Sequence, residues 1–218
     1  MAVLTWDAAA SRLYHTGIDK CVLYPIDASG AYPLGVAWNG ITGVTESPSG
    51  AEASPLYADN IKYLNLISAE EFGGTIEAYM YPDEWAQCDG SLSPLTGMLV
   101  GQQSRKMFGL AYRTLLGNDA EGNDYGYLLH LIYGCLAAPS ERANQTINDS
   151  PEAVTFSWTF TTTPVAVTGY KPTSLIIVNS KDSTTTGLAA LEDELFGTAA
   201  EAPNLPLPDD VLTFLQTV

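Results

Sequence analysis

The sequence predicts a mainly β chain, an antiparallel sandwich or barrel with one packed α-helix in its C-terminal region and long loops. Three observations carry that prediction. Short alternating segments separated by Gly, Pro, Asn and Asp recur between Cys21 and Val178. The clearest is Val154–Thr163, where Val154, Phe156, Trp158 and Phe160 share one face and Thr155, Ser157, Thr159, Thr161 and Thr163 the other. Helical spacing is convincing only in Thr186–Phe196, which aligns Leu188, Leu191 and Leu195 in one stripe and places Gly197 as a C-cap. Strands first and a helix late suit an antiparallel architecture better than alternating βαβ units.

In chain order, Cys21–Ile26 and Gly35–Gly43 read as strands around a turn at Asp27–Pro33, where Asp-Ala-Ser-Gly supplies the turn chemistry. Thr45–Ala58 holds two prolines, a glycine and small residues, and reads as a long loop. A loop of more than ~12 residues without structure of its own is uncommon unless it has a task. Its small and apolar side chains gain little from facing water, so Thr45, Glu46, Pro48, Ala51, Glu52, Pro55, Leu56 and Tyr57 are candidate inter-subunit contacts. Asn60–Ile67 resumes strand character. Thr75–Tyr81 puts Ile76, Ala78 and Met80 on one face and Thr75, Glu77, Tyr79 and Tyr81 on the other.

Met107–Leu116 and Tyr127–Tyr133 form a predicted hairpin around the acidic tip GNDAEGNDYG. Ser174–Val178 is a last strand, and Val211–Leu215 a short helix with Asp209 and Asp210 at its positive end. The expected organisation is a single domain over 1–218. It has an N-terminal arm of about 18 residues, the loop at 45–58 and a C-terminal segment over about 198–218.

Charged residues are only 16% of the chain against 46% hydrophobic, a composition suited to hiding surface against further copies of itself. Acidic residues number 25 and basic residues 9, a net charge of −16. Nucleic-acid binders carry the opposite sign, because Lys and Arg must neutralise phosphates. Cys21, Cys88 and Cys135 lie far apart with no CxxC spacing, which argues for free buried thiols in a reducing cytoplasm rather than disulfides or zinc. The first residues lack the basic and apolar regions of a secretory signal, and no apolar run approaches the ~20 residues of a membrane span.

Chemistry-bearing patterns are sparse. His130 sits in the apolar run YLLHLIY and reads as a satisfied, half-buried histidine, while His15 reads as surface. The stretch from Asp119 resembles a calcium loop, but the positions that need Gly and Glu hold Asp124 and His130. Asp83–Glu84 and Glu192–Asp193–Glu194 are adjacent in sequence and so do not straddle one bond as a glycosidase pair must. GxSxG, P-loop and dinucleotide patterns do not occur. No catalytic, cofactor or metal residues are assigned, and the chain is expected not to be an enzyme.

Four stretches taken in order resemble the major tail protein family of siphophages and related prophages. They are TWDAAASRLYHTGIDKCVLYP, the segment from Gly35 to Gly90 around GVAWNGITGVTESPSGAEASPLYADN, GQQSRKMFGLAYRTLLGNDAEGNDYGYLLHLIYG, and NDSPEAVTFSWTFTTTPVAVTGYKPTS. The resemblance runs from Trp6 to the PLPDDV segment. It implies a tail-tube fold and a virion protein assembled in the host cytoplasm. It also implies six-fold rings stacked around a tape-measure protein, with tail terminator and baseplate or distal tail proteins as partners and DNA passing through unbound. A lumen crossed by DNA favours carboxylates and hydroxyls over Lys and Arg, and Glu77, opposite the Ile76/Ala78 face, is the candidate lumen residue. A carbohydrate-binding module or adhesin using aromatic strand faces is the alternative, and a cell-wall hydrolase comes third.

Overall fold

The computed structural model describes residues 3–147, 149 and 153–216. β1 (Leu13–Pro25) reaches well before the expected Cys21 start, so most of the expected N-terminal arm beyond residue 12 belongs to the sheet. The turn after it is built as its residues suggest: Asp27 Oδ1 accepts from the backbone N–H of Ser29 at 2.8 Å and of Ala31 at 3.0 Å. The expected Gly35–Gly43 strand is divided. β2 (Val36–Ala37) stays beside β1, Gly40 turns the chain at φ 84, and β3 (Ile41–Glu46) joins the far end of the same sheet.

The chain then leaves the sheet through β4 (Ser49–Gly50), β5 (Ala53–Ala58), β6 (Ile61–Ile67) and β7 (Glu70–Glu71), and returns as β8 (Gly73–Ala78). A 3-10 turn at Asp83–Trp85 runs into the single-turn α1 (Ala86–Asp89), and a small hairpin follows, β9 (Leu92–Leu95) with β10 (Met98–Val100). The central hairpin is β11 (Phe108–Asn118) with β12 (Gly122–Ala137), so the acidic tip shortens to residues 119–121. β13 (Phe156–Thr162), β14 (Leu175–Asn179), α2 (Thr185–Phe196) and α3 (Pro208–Gln216) complete the described chain.

Eight strands form one antiparallel sheet in the order β2-β1-β11-β12-β13-β8-β3, with β14 also on β12. β12 pairs β14 through Leu128–Ile132 and β13 through Cys135–Ala137. Gly134, at φ 64, separates the two pairings, and a Cβ there would collide with the Thr163 carbonyl. Its N–H is satisfied by Tyr32 Oη at 3.0 Å.

The sheet curls until strands far apart in that order share one core. Leu23, Ile76, Phe108, Leu110, Ile132, Trp158 and Phe160 converge inside it, with Trp85 and Cys88 of the 3-10/α1 segment as a plug. Trp85 lies 5.0 Å from Phe108 and 5.3 Å from Trp158 between ring centroids. Trp38 donates from Nε1 to the Met80 carbonyl at 2.9 Å, tying the two ends of the sheet together.

The outer face of β1, β11, β12 and β14 carries a second core under the helices. Leu188, Leu191 and Leu195 of α2 and Val211 of α3 cover Val22, Tyr24, Ala111, Leu129, Leu131 and Val178. The expected leucine stripe is therefore correct, and Thr184 caps the helix by accepting from Gly187 N. Two helices pack on the sheet, the expected packed helix as α2 and the short helix expected at Val211–Leu215 as α3, and a third, unexpected short one fills its interior. α1 is too short to show a helical period. The C-terminal segment is part of this layer through Leu205 and α3.

Two burial expectations change. Met80 is exposed rather than aligned with Ile76 and Ala78, because β8 ends at Ala78; Tyr81 turns inward instead and meets Trp158 at 5.5 Å. Phe156 is only half-buried, whereas Trp158 and Phe160 are buried as their alternation requires. Cys21, Cys88 and Cys135 are free and buried, and burial raises each thiol above its ordinary range, Cys88 to about 12.

Trp158 is 1% exposed at the centre of the inner core. Trp158→Ala should lower stability by about 3–5 kcal/mol in urea unfolding, the range for large core aromatics.

Candidate assembly surface

The segment expected as a loop, Thr45–Ala58, contains the end of β3, β4 and β5. There β5 pairs with β6, the expected Asn60–Ile67 strand, in an antiparallel hairpin that projects from the sheet. β5 and β6 pair from Ala53↔Ile67 to Ala58↔Ile61 around a two-residue turn. Asp59 and Asn60 both have positive φ, 50 and 63, which is the backbone that a twisted two-residue hairpin demands. Asp-Asn between two apolar runs was the available signal. Pro55 masked it, and β6 has no polar/apolar alternation because neither of its faces meets a core.

Every residue of β5 and β6 is exposed. Among them are Leu56, Tyr57 at 70%, Ile61, Tyr63, Leu64, Leu66 and Ile67 at 69%. An isolated two-stranded hairpin is marginal in water, and contiguous exposed apolar surface marks a contact site. Of the candidate contact residues, Pro55, Leu56 and Tyr57 lie on β5, and Ala51 (φ 55) and Glu52 at its base. Pro48 is exposed beside β4, and Thr45 is exposed on β3. Glu46 departs from this set by turning into the barrel.

A second exposed apolar hairpin escaped sequence reading. β9 and β10 meet around Thr96 and Gly97 (φ 83), and Leu92, Leu95, Met98 and Leu99 are exposed. The signal was Pro-Leu-Thr-Gly between short apolar pairs.

Glu77 lies on the part of the sheet that no helix covers. The outer face of β3, β8 and β13 carries Thr45, Thr75 and Thr159 in one cross-strand row, and Gly43, Glu77 and Ser157 in the next. Glu77, Ser157 and Thr159 are exposed. These two rows contain hydroxyls and one carboxylate, and no Lys or Arg.

The expected satisfied histidine lies at an open seam of the barrel. His130 Nδ1 and the Tyr112 hydroxyl both donate to Glu46 Oε1, at 2.8 and 2.5 Å. Thr114 Oγ1 is 3.0 Å from His130 Nε2, and the Tyr112 ring stacks on the imidazole at 4.6 Å and 9°. The cluster floors a cleft of about 670 Å³ between Gly17–Ile18 of β1 and Ile41–Val44 of β3. The hydrogen bond from His130 holds the Glu46 carboxyl below its ordinary value, burial opposes it, and the Tyr112 bond assists. Burial, then Glu46, raises the Tyr112 phenol.

Other acidic candidates stand apart. Asp83 and Glu84 are exposed, and Glu194 accepts from Asn204 Nδ2 at 2.7 Å. No group of three or more His, Cys, Asp or Glu able to hold a metal ion occurs among the described residues. Trp38, Trp85 and Trp158 are buried in the inner core, while Trp6 is exposed.

No protein-family model and no curated protein matches the chain. One solved structure similar to it is a cryo-EM structure of the baseplate of the anti-feeding prophage, six-fold symmetrised. It is 9% identical and matches over 82% of this chain and 99% of that chain, with a TM-score of 0.40. A likeness of that size carries no argument about function.

In dilute protein the amides of β5 and β6 should exchange with solvent about a hundredfold or more faster than those of β11 and β12, since local opening follows local burial. Hydrogen exchange read by mass spectrometry checks this directly.

Proposed function

We propose that the chain is the tail-tube subunit of a long-tailed phage or prophage-derived particle, a structural virion protein and not an enzyme. Copies close into six-fold rings that stack around a tape-measure protein, between terminator and baseplate proteins, and form the conduit for DNA ejection. The observation that carries the reading is the projecting hairpin β5–β6, apolar along its length and exposed in the single chain. Such a surface gains by burial against a neighbouring copy. The family resemblance of the sequence supplies the six-fold tube.

The uncovered Thr/Ser/Glu77 face supports a lumen role for β3, β8 and β13. Hydroxyls and a carboxylate give DNA phosphates no counterion-release site to hold them. Repetition around and along a bore would extend one carboxylate into a continuous negative field. The carbohydrate-binding alternative is weakened by its best platforms, since three of the four tryptophans are in the core.

Negative-stain microscopy of the concentrated protein tests the reading. Rings or tubes are expected; discrete particles with saturable glycan binding would favour the alternative instead. Replacing residues 53–67 by a short Gly-Ser link should leave a folded monomer that forms neither rings nor tubes, because the hairpin contributes nothing to either core. Glu77→Lys should leave tubes intact, its exposed site tolerating change to within about 0.5 kcal/mol. It should slow DNA ejection from assembled particles, and unchanged ejection would remove Glu77 from the lumen.

A further inference from the structure

We propose that Glu46, held by His130 and Tyr112, is a latch that fixes the root of the β5–β6 arm to the barrel and so sets how the arm is presented for assembly. This rests on the tube reading for its consequence, but not for its structural claim.

Glu46 is the last residue of β3, opposite Gly74 of β8. Beyond it the chain leaves the sheet with little to steer it. Ser47 N bonds the Gly73 carbonyl at 2.8 Å, and the two-rung β4–β7 ladder pairs Ser49 with Glu71 and Gly50 with Glu70. The arm follows at once. A narrow two-stranded stem permits hinging, so its direction depends on how firmly its first residue is held.

That residue reaches across the interior. β3 lies at one end of the sheet order, and β11 and β12 are strands of its other half, with β1 across the seam. No ladder joins β3 to β1, β11 or β12 among the described residues. The hydrogen bonds from β3 to that far wall, among the described residues, come from Glu46 alone. One carboxylate oxygen therefore joins the arm root to two of the longest strands in the fold.

The surroundings suit a latch. Glu46 and His130 are the charged or chargeable groups lining the cleft, with the Tyr112 phenol and Thr114 hydroxyl beside them. Cys21 of β1 lies close enough to influence Tyr112 and is a buried thiol. On the opposite face of the sheet, Asp19 is occupied by Arg113 at 2.6 and 2.7 Å. On β8, Glu77 faces outward from the barrel. Thr114 can donate to a neutral His130 or accept from a charged one, so the bonds persist in either histidine state.

The weak point is Glu46 itself. Its folded value is depressed, so the latch contributes fully above the ordinary carboxylate range, near 4.5, and is lost as pH falls through the lower folded value.

The test is hydrogen exchange at 47–52 and 68–74 in dilute full-length protein, paired with the polymerisation threshold in concentrated protein. Glu46→Ala should speed exchange at the arm root about tenfold, in line with a lost charge-assisted bond, leave 108–118 unchanged, and raise the threshold. Glu46→Gln, close to isosteric and able to accept both bonds at its one carbonyl oxygen but without the charge that strengthens them, should fall between Ala and wild type and carries the test if Ala does not fold. Arm-root exchange equal to wild type in a folded Glu46 variant overturns the latch. Faster exchange with an unchanged threshold overturns its role in assembly. If the wild-type protein itself never polymerises, the tube reading fails, while the exchange data still decide the latch.

Discussion

Trp158 and Trp85 meet where the two ends of the sheet must be brought round, and that packing is the constraint on which the rest depends. An antiparallel sheet of eight strands buries its apolar face only by packing on another layer or by curling. This one curls on the inside, around tryptophans 5.3 Å apart, and accepts two helices on part of its outside. The 3-10/α1 segment that delivers Trp85 is therefore a core element despite its length. Without it, Phe108, Trp158 and Phe160 would line a void, and close-packed interiors do not tolerate voids of that size.

Curling in this way divides the exterior into unlike territories. Where α2 and α3 pack, β1, β11, β12 and β14 are apolar on both faces, which is why the run from Tyr127 to Tyr133 reads as hydrophobic at every position but His130. Where no helix packs, β8 and β13 keep strict alternation, β3 does so after an irregularity between Ile41 and Gly43, and the three present threonine, serine and Glu77 to the outside. Much of the apolar surface that neither core accommodates lies on two small hairpins, while Val3, Leu4, Trp6, Tyr79 and Met80 are exposed elsewhere. With a net charge of −16 per chain, the proposed association of copies would have to gain enough from those hairpins to overcome mutual repulsion. Salt assists by shortening the reach of exposed charges to about 10 Å at 0.1 M.

Much of this was legible in the residues. The Phe156/Trp158/Phe160 alternation, the Leu188/Leu191/Leu195 stripe, the Asp27 turn and the central hairpin were read from local periodicity and turn chemistry, and each is present. Of the arm's two strands, Asn60–Ile67 is legible as a strand, whereas β5 reads as part of a loop because it is exposed and carries Pro55. Glu46 was grouped with the arm's contact residues by position in the chain. Its side chain instead bonds His130, 84 residues away, and no local pattern reports a partner at that distance.

The sequence by itself determined the class of the fold, the strands with one buried face, the main helix and the one-sided charge. Each of these is a local property, fixed by the two-residue period of a strand, the 3.6-residue period of a helix or the balance of side chains. Only the tertiary structure decided that the sheet curls on itself, that Trp85 fills it, that Met80 turns out while Tyr81 turns in, and that Glu46 bonds across the seam. Those outcomes depend on which strands become neighbours, and strand order follows from packing summed over the whole chain, a quantity that no single segment contains.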